Sequence, residues 1–355
     1  MQSMKNVISA VSFCLLFLSF CMAQNGKKSN DFIIMSYNTE NFFDTINDPH
    51  TSDDEYTPDS KKHWETERYN HKVQGIARVI SEITPGHFPD LMLLCEVENH
   101  EVLKDLVHRK EIISAGYQII FEKGHDTRGI SIGLLYRKKT FRLLSKNLIG
   151  IEYPGEKKES TRGILYVKGI VTKDDTVHVF GNHWKSRVGN QAETESKRIY
   201  DAEILKRKTD SLLRLNRNAK IICMGDFNDE PESTSINKEL GASCKSGERE
   251  DEKLVDIMCP LSLEGKGSYS FRGRWQMLDN IILSKSLLSK KNRLHLNDDG
   301  GKIFGPTWLL KVNDKAGGPV PWKTYAGDKY LGGYSDHLPV YAELVKIGKR
   351  GKYGF

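Results

Sequence analysis

The sequence feature that most constrains the fold is the segment IICMGDFNDEP at residues 221–231. Its four apolar residues predict a short buried strand, which Pro231 prevents from continuing. Asp226 and Asn228 are two residues apart, so both side chains point to the same side of an extended chain. Taken alone, the segment is more typical of an Asx turn after a strand, because Asp, Asn and Gly all favour turns.

The same arrangement recurs at other predicted strands. Asn38 and Glu40 follow a strand at 32–37, and Glu96 follows a strand at 90–95. Two further polar pairs, after the strand at 177–181 and before the last strand, are Asn182 with His183 and Asp336 with His337. Each residue has an ordinary explanation alone, as a solvated side chain or a satisfied core histidine. Their recurrence favours one shared site at strand ends, as layered α/β proteins build them.

The order of helices and strands indicates the fold class. Apolar residues recur at helical spacing at 70–83, and further helices are expected at 100–113 and at 192–215, the last acidic at its start and basic near its end. The strands between them are continuous apolar runs, as expected where both faces of a sheet are covered. The pattern predicts an α/β protein with two packed sheets and helices outside. Asp279 falls inside a predicted strand, and the polar residues 45–66 predict a solvated insertion.

The start of the chain has the pattern of a secretory signal peptide. Lys5 provides a positive charge, residues 11–20 are apolar, and Ala23 offers a cleavage site. The chain is therefore expected to be secreted or periplasmic. Lipidation of Cys21 is less favoured, because Phe20 is bulky where lipoproteins have a small residue. The expected organisation is a signal peptide at 1–23, a linker at 24–30, one domain at 31–346 and a basic tail at 347–355.

Charge and cysteine content set weaker limits. The 53 Lys and Arg residues only slightly exceed the 47 Asp and Glu residues, so a polyanionic substrate is allowed but not required. Cys244 and Cys259 flank a polar loop and could pair in an oxidising compartment. Cys95 and Cys223 lie in apolar runs, which favours packing as small hydrophobic side chains. No protein partner is implied, and we expect a monomer.

The residue types at the strand ends allow a narrow chemistry. No Cys/His cluster has zinc spacing, and the sequence has neither a P-loop nor a dinucleotide fingerprint. Oxygen ligands without thiolates favour Mg²⁺, Mn²⁺ or Ca²⁺, and Glu96 with Asn38, Glu40 or Asp336 nearby fits Mg²⁺. Two histidines can carry protons or stabilise negative charge, and Asp279 could orient one of them. The sum predicts metal-assisted attack of water on phosphorus.

Six short motifs together resemble the endonuclease/exonuclease/phosphatase superfamily, which has the deoxyribonuclease I fold. They are SYNTEN at 36–41, LLCE at 93–96, NH at 182–183, GDFN at 225–228, LDN at 278–280 and SDH at 335–337. Their order and spacing make the resemblance specific, and it covers nearly all of the chain after residue 31. It implies a four-layer αββα sandwich, with two mixed β-sheets flanked by helices. The NHWKSR segment at 182–187 is similar to a bacterial branch of secreted nuclease-like proteins.

The resemblance implies a role for each site residue. Glu96 corresponds to the main metal ligand, and Asp226 corresponds to the residue that orients or deprotonates the attacking water. His337 resembles the catalytic histidine, and Asp279 resembles its carboxylate partner. Asn38, Glu40 and Asp336 correspond to positions near the metal. Asn228 and His183 correspond to residues that hold the scissile phosphate.

Three cationic residues are further candidates for contacting phosphate. Arg128 stands where some relatives contact phosphate, although an ordinary surface arginine explains it equally well. Lys185 and Arg187 could bind a second phosphate, because guanidinium groups match phosphate oxygens. The alternative is that both residues form ion pairs with acidic loops.

Three functions are compatible with these residues. The first is a secreted endonuclease or exonuclease that uses Mg²⁺ or Mn²⁺ to hydrolyse phosphodiester bonds of nucleic acid. The second is a phosphatase or a sphingomyelinase-like phosphodiesterase on lipid or other small phosphoesters; inositol-phosphatase signatures are missing, since no Arg follows Asn228 directly. The third is a catalytically inactive binding protein on the same scaffold, against which the complete set of site residues argues.

Overall fold

The structure is a computed structural model that describes residues 31–156, 161–172, 175–247, 253–313 and 316–347. The predicted signal peptide at 1–23, the linker at 24–30 and the predicted tail beyond Ile347 lie outside the described residues, and the boundaries of these segments stay predictions. No helix in the described part of the chain is long and apolar enough to cross a membrane.

Most of the described chain forms strands, with few helices between them. In chain order the helices and strands are β1 (Phe32–Phe42), α1 (Thr66–Glu82), β2 (Leu91–Val97), α2 (His100–Val107), β3 (Tyr117–Glu122), β4 (Ser131–Arg137), β5 (Arg142–Ile149), β6 (Ile164–Thr172), β7 (Asp175–His183), α3 (Gln191–Leu215), β8 (Lys220–Asp226), β9 (Ala242–Ser243), β10 (Leu254–Asp256), α4 (Cys259–Leu263), β11 (Tyr269–Phe271), β12 (Arg274–Gln276), β13 (Asp279–Ser284), β14 (Leu294–Ile303), β15 (Leu310–Asn313), β16 (Gly318–Pro321), β17 (Tyr325–Ala326), β18 (Lys329–Tyr330) and β19 (Val340–Lys346).

Two large mixed sheets organise the molecule. The first sheet has the strand order β14-β19-β1-β2-β4-β3, and the second has the order β5-β6-β7-β8-β13-β10-β9. The remaining strands form three hairpins, β11–β12, β15–β16 and β17–β18. Within the first sheet β1 and β2 are parallel, and within the second sheet β7 and β8 are parallel. Other pairs, such as β8 with β13, are antiparallel.

Alternation along the central strands explains the layers. In β8, Ile222 and Met224 face the core between the two sheets, whereas Ile221 and Cys223 face the core under α3. In β2, alternate residues likewise divide between the inter-sheet core and the core under α1 and α2. Because successive side chains of a strand point to opposite faces, both faces must be apolar when both are covered. The predicted four-layer αββα sandwich is confirmed.

Some elements differ from the sequence-based expectations. The helix α2 ends at Val107 rather than near residue 113. The edge strand β5 was not predicted, because most of its residues are exposed and form no apolar run. Residues 45–66 are mostly exposed or half-buried, as expected for a solvated insertion, but part of the segment packs into the fold. Trp64 is completely buried, and its Nε1 donates to the Phe43 carbonyl oxygen at 3.2 Å.

The cysteines follow the predicted division. Cys244 and Cys259 form a disulfide that joins the end of β9 to the start of α4, and Cys95 and Cys223 are free and buried. The hypothesis that the first two pair is confirmed. The bridge closes a loop whose ends are 15 residues apart.

We expect this disulfide to stabilise the fold, because a cross-link reduces the conformational entropy of the unfolded chain. For a loop of this length the effect is about 3 kcal/mol of unfolding free energy. Urea unfolding of the wild type should shift to lower urea on addition of a reductant, whereas a Cys244→Ser/Cys259→Ser double variant should not respond to the reductant. Detection of both thiols as free by non-reducing mass spectrometry of the native protein would contradict the assignment.

Candidate active site

Strand register brings three predicted site residues side by side. His183 at the end of β7 pairs with Asp226 at the end of β8, and Asp226 pairs with Asp279 in β13. The prediction that Asp279 lies in the middle of a strand is wrong, because it is the first residue of β13. An antiparallel neighbour of β8 begins where β8 ends, so the side chain of Asp279 reaches the same sheet edge as that of Asp226.

Gly225 permits the close approach of β7 and β8 at this edge. Its φ angle is 143°, and a Cβ atom built there would lie 1.9 Å from the carbonyl oxygen of Asn182. Because the obstacle is backbone rather than a flexible side chain, only glycine fits. The approach places His183 Nε2 3.7 Å from Asp226 Oδ2.

Two carboxylates from different sheets share one amide group. Asn38 in β1 donates through Nδ2 to Asp226 Oδ2 at 3.0 Å and to Glu96 Oε1 at 3.5 Å. The parallel pairing of Asn38 with Cys95 brings Glu96 into reach. The other oxygen of Glu96 accepts the backbone N–H of Asn41 at 2.7 Å. The site therefore lies where the edges of both sheets meet, and a neutral amide separates the two acids.

His337 and Asp279 form a buried pair in which Nδ1 lies 2.6 Å from Oδ2. Burial disfavours the imidazolium ion, but Asp279 and Asp226 outweigh this effect and raise the pKa of His337 well above its usual value. The other nitrogen, Nε2, lies 4.0 Å from Asp226 Oδ2. His337 is thus held as a charged donor that faces the carboxylate of Asp226.

His183 has the opposite electrostatic environment. Burial, together with Arg162 and Arg128, lowers the pKa of His183 well below its usual value. Its Nδ1 is buried without a hydrogen-bond partner among the residues described, and its Nε2 lies 3.8 Å from Glu96 Oε1. A neutral imidazole beside two acids can donate a hydrogen bond to a substrate without adding a net charge to the site.

Asp226 is a buried carboxyl group at the centre of the cluster. Burial raises the pKa of Asp226 to about 7, and the positive charge of His337 opposes this rise. Asp226 Oδ1 accepts the backbone N–H of Asn228 at 2.8 Å, and Asn228 Nδ2 donates to the Trp184 carbonyl oxygen at 3.1 Å. A carboxyl group that titrates near neutral pH can both orient a water molecule and take up its proton.

Backbone strain is concentrated around this cluster. Glu40, Asn41, Glu96 and Asn228 all have left-handed backbone conformations, with φ angles between 48° and 62°. Non-glycine residues adopt this region only when the surrounding structure holds them there, and such residues cluster at functional sites. The strained residues lie at or next to the strand ends that carry the side chains of the site.

Two sets of side chains could hold a divalent cation. The first is Glu96 with the amide of Asn38, where the Glu96 side chain is 15% exposed and water can complete the ligand shell. Asp226, Asp279 and His337 each offer one ligand atom within 4.8 Å of the others. In the second set His337 Nδ1 is already bonded to Asp279. The oxygen-rich first set fits Mg²⁺ or Mn²⁺ better.

The model of the Endonuclease/Exonuclease/phosphatase family matches residues 33–346, nearly the whole of the described chain. The chain belongs to this family. Membership makes it a hydrolase of phosphoester bonds. A search of curated proteins finds no match.

Several solved structures share the fold at low sequence identity. TDP2 from D. rerio, in complex with a single-strand DNA product, is 15% identical, with a TM-score of 0.53 over 88% of this chain and 98% of that chain. A family protein from Bacteroides thetaiotaomicron is 16% identical, with a TM-score of 0.53 over 92% of this chain and 98% of that chain. A mannosyl-6-phosphatase from Bacteroides thetaiotaomicron is 18% identical, with a TM-score of 0.52 over 88% of this chain and 99% of that chain.

Glu40 and Asp336, which were predicted to lie near the metal, have different surroundings from Glu96. The oxygens of Glu40 accept the backbone N–H groups of Thr324 at 2.6 Å and Tyr325 at 3.3 Å. Burial and the charge of Asp336 raise the pKa of Glu40 to about 7. Asp336 is half-buried beside His337 and lines a pocket at the edge of the site. The structure therefore gives Glu40 a role in holding residues 324–325, in addition to any contact with a cation.

Arg128, Lys185 and Arg187, the three residues predicted to contact phosphate, differ in whether they already bind other groups of the protein. Arg187 donates to the Asn228 carbonyl oxygen at 2.7 Å and forms an ion pair with Asp229 at 3.0 Å, which is the ion-pair alternative. Arg128 bonds to Asp126 through Nε and Nη2, and its side chain remains 48% exposed. Burial and neighbouring cations lower the pKa of Lys185, whose ammonium group has no ion-pair partner among the described residues.

Sequence reasoning missed a buried lysine that supports the site. Lys72 in α1 is 1% exposed, and its Nζ donates to Thr324 Oγ1 at 2.7 Å and to the Tyr334 carbonyl oxygen at 3.1 Å. Burial lowers the pKa of Lys72 to about 8, although Glu40 favours the charged form. The available signal was its position one helical turn from Ile76, on the apolar face of α1.

A second missed residue is Arg162, which is 2% exposed. It donates to Asp126 at 2.8 Å and to the Trp184 carbonyl oxygen at 2.6 Å, directly after His183. It therefore fixes the backbone that carries His183. No sequence pattern marked it, because its partners lie far away in the chain.

We expect Asp279→Asn to lower the pKa of His337, because the carboxylate that favours the imidazolium is replaced by a neutral amide of similar shape. In an NMR titration the wild-type His337 should remain protonated above pH 6.5, the usual midpoint of a histidine, and the variant should lose its proton at a lower pH. The exposed His100 serves as the internal reference in both proteins. An unchanged His337 titration would show that Asp279 does not control its charge.

Proposed function

We propose that this family member is a divalent-metal-dependent phosphodiesterase that hydrolyses nucleic acid. The observation that carries the proposal is the convergence of Glu96, Asp226 and His337 at one edge, with Asn38 between the two acids. This set combines a carboxylate for a cation, a carboxyl group that titrates near neutral pH and a cationic donor. Each of these three functions promotes metal-assisted hydrolysis of a phosphate diester.

The residues Glu96 and Asn38, with Asp336 as a further ligand, would hold Mg²⁺ or Mn²⁺. Such an ion supplies positive charge that polarises the phosphoryl oxygen. The remaining roles belong to this chain's own side chains. Asp226 orients a water molecule and takes up its proton, and His337 offers a charged hydrogen bond from Nε2 to the developing negative charge.

In this proposal His183 donates to the scissile phosphate, and Asn228, whose Nδ2 already donates to Trp184 and Asp226, holds the turn beside it. Both side chains are almost completely buried, and each is fixed by its own strand or turn. Neutral donors on rigid elements can stabilise a trigonal-bipyramidal phosphorus without repelling the cation. Arg128 and Lys185 extend the positive surface beside His183, as a longer anionic substrate requires.

Nucleic acid is the favoured substrate class for two reasons. The chain carries a net positive charge of +6, which favours a polyanion. The structurally similar D. rerio TDP2 is bound to a single-strand DNA product. The second candidate is hydrolysis of a small phosphomonoester, because a similar Bacteroides thetaiotaomicron structure is a mannosyl-6-phosphatase and a pocket of about 350 Å³ borders Asp336.

Export from the cytoplasm is part of the same proposal. The apolar segment at residues 11–20 has the pattern of a signal peptide. The Cys244–Cys259 disulfide is typical of proteins in oxidising compartments. Fractionation of the native host, followed by detection of the mature chain without residues 1–23, tests this location.

We expect Glu96→Gln and His337→Ala each to lower kcat/KM by at least about 100-fold, the cost of losing one charged stabilising group in an active site. The substrates are single-stranded DNA, plasmid DNA, RNA, sphingomyelin and mannose 6-phosphate, with added Mg²⁺. Glu101→Gln, which changes an exposed carboxylate in α2, is the matched control. Unchanged melting temperatures confirm that the variants are folded.

The same panel separates the two candidate functions. Hydrolysis of nucleic acid in preference to mannose 6-phosphate supports the first candidate, and the reverse preference moves the assignment to the second. Turnover close to that of the wild type in either site variant would falsify the proposed site.

Metal removal gives an independent expectation. Activity should disappear in excess EDTA and return with Mg²⁺ or Mn²⁺, because in this proposal the cation held at Glu96 polarises the phosphoryl oxygen. A crystal soaked in Mn²⁺ should show an anomalous peak beside Glu96. A peak beside Asp279 and His337 instead would assign the ion to the second cation set, and full activity in chelator would rule out a metal mechanism.

A further inference from the structure

A groove runs away from the catalytic edge between two of the hairpins. We define the flanking groove by Tyr269, Phe271, Arg272, Trp322 and Lys323. It consists of a pocket of about 350 Å³ that borders Asp336 and a second pocket of about 440 Å³, and Lys323 lines both. The two pockets therefore adjoin each other at Val320, Pro321 and Lys323.

The flanking groove begins directly at the catalytic histidine. The ring of Tyr269 lies 4.9 Å from the ring of His337, centroid to centroid, and the two residues form an isolated β-bridge. Tyr269 begins β11, whose other end is Phe271. A group bound against Phe271 is therefore one short strand away from the reacting phosphate.

Close backbone contacts shape the walls of the groove. A Cβ atom at Gly273, in the turn of β11–β12, would lie 2.5 Å from the carbonyl oxygen of Ala316. A Cβ atom at Gly333 would lie 1.9 Å from the carbonyl oxygen of Trp322. The two-residue turn that carries Arg272 has positive φ angles at both positions, 51° and 83°. This turn favours Asn-Gly, so Arg272 is held there in a strained backbone conformation.

The groove presents positive charge and exposed aromatic surface together. Phe271 is 51% exposed, and the guanidinium carbon of Arg272 lies 5.1 Å from the centre of its ring. Lys311 Nζ lies 5.0 Å from the ring of Trp322. Within the described chain, Arg272, Lys311 and Lys323 form no ion pair with a carboxylate. Unpaired cations beside aromatic faces are the surface that single-stranded nucleic acids bind, with bases stacked and phosphates neutralised.

We propose that the flanking groove binds the nucleotide next to the scissile phosphate of a single-stranded polynucleotide. The base stacks on Phe271, and Arg272 and Lys323 contact the adjoining phosphate. The inference rests on the proposed function, since it places a second nucleotide beside the same site. A pocket of about 350 Å³ has the size of a small-ligand site.

The test compares two phosphodiester substrates, of which only one is long enough to extend into the flanking groove. Oligothymidylate extends into the flanking groove, whereas bis(p-nitrophenyl) phosphate has no second phosphate. We expect Phe271→Ala to lower the ratio of kcat/KM for oligothymidylate to kcat/KM for the small diester by about 10-fold, within the range for loss of one base–aromatic stack. Phe271→Trp should restore the ratio, because it restores the stacking surface.

The cationic residues are tested by salt dependence. Binding of fluorescently labelled oligothymidylate in EDTA is measured by anisotropy as salt is raised. Arg272→Ala/Lys323→Ala should reduce the slope of log Kd against log salt by about 0.7 for each phosphate that the protein no longer neutralises. Arg274→Ala is the matched control, because this neighbouring arginine is 73% exposed and already paired with Glu230 at 3.3 Å.

The outcomes separate this inference from the proposed function. If the wild type cleaves oligothymidylate and all variants keep the same substrate ratio and salt slope, the groove assignment is overturned while the function stands. If the wild type cleaves no nucleic acid, the proposed function fails, and the anisotropy series alone decides the groove. Loss of oligothymidylate binding in Phe271→Ala then supports the groove, and equal binding by all variants overturns it.

Discussion

Burial of several carboxyl groups at one edge of two sheets is the constraint on which the rest of this structure depends. An ionised carboxylate in a protein interior is costly unless it is hydrogen-bonded or paired with a cation. The pKa values of Asp226 and Glu40 rise to about 7 for this reason. Neutral donors such as Asn38 and two buried cations, His337 and Lys72, stabilise these carboxyl groups. The arrangement leaves the centre rich in negative charge and ready for a divalent ion.

The segment after β7 shows how the surrounding structure supports that centre. Arg162 bonds to the carbonyl oxygen of Trp184, and Arg198 bonds to the carbonyl oxygen of Lys185 at 3.3 Å. Arg198 is itself paired with Asp229 at 2.8 Å. Buried guanidinium groups with several donors can fix backbone carbonyl groups and satisfy acids at the same time. The chain therefore uses internal arginines to hold the position of His183, and only part of its basic character is available to a substrate.

The sequence was sufficient for the layers and for the residues at strand ends, because both leave regular local patterns. Continuous apolar runs such as 221–224 identified strands covered on both faces, and Asp226 and His183 followed such runs. The position of Asp279 could not be derived, because it depends on β13 running antiparallel to β8. Burial of Trp64 was missed because its partners are distant, and exposed β5 left no hydrophobic pattern. Contacts between remote segments, which composition and periodicity do not record, account for these differences.

The segment that carries the β15–β16 and β17–β18 hairpins connects two neighbouring strands of the first sheet, β14 and β19. Ile303 at the end of β14 pairs directly with Val340 at the start of β19, so the chain leaves and rejoins the sheet at one point. The free energy of closing such an excursion changes only slowly with its length. The β15–β16 hairpin can consequently be lengthened, shortened or exchanged while both sheets and the contacts of Thr324 and Tyr325 with Glu40 stay intact. Substrate preference can thus diversify during evolution as an independent module, with the hydrolytic centre inherited unchanged.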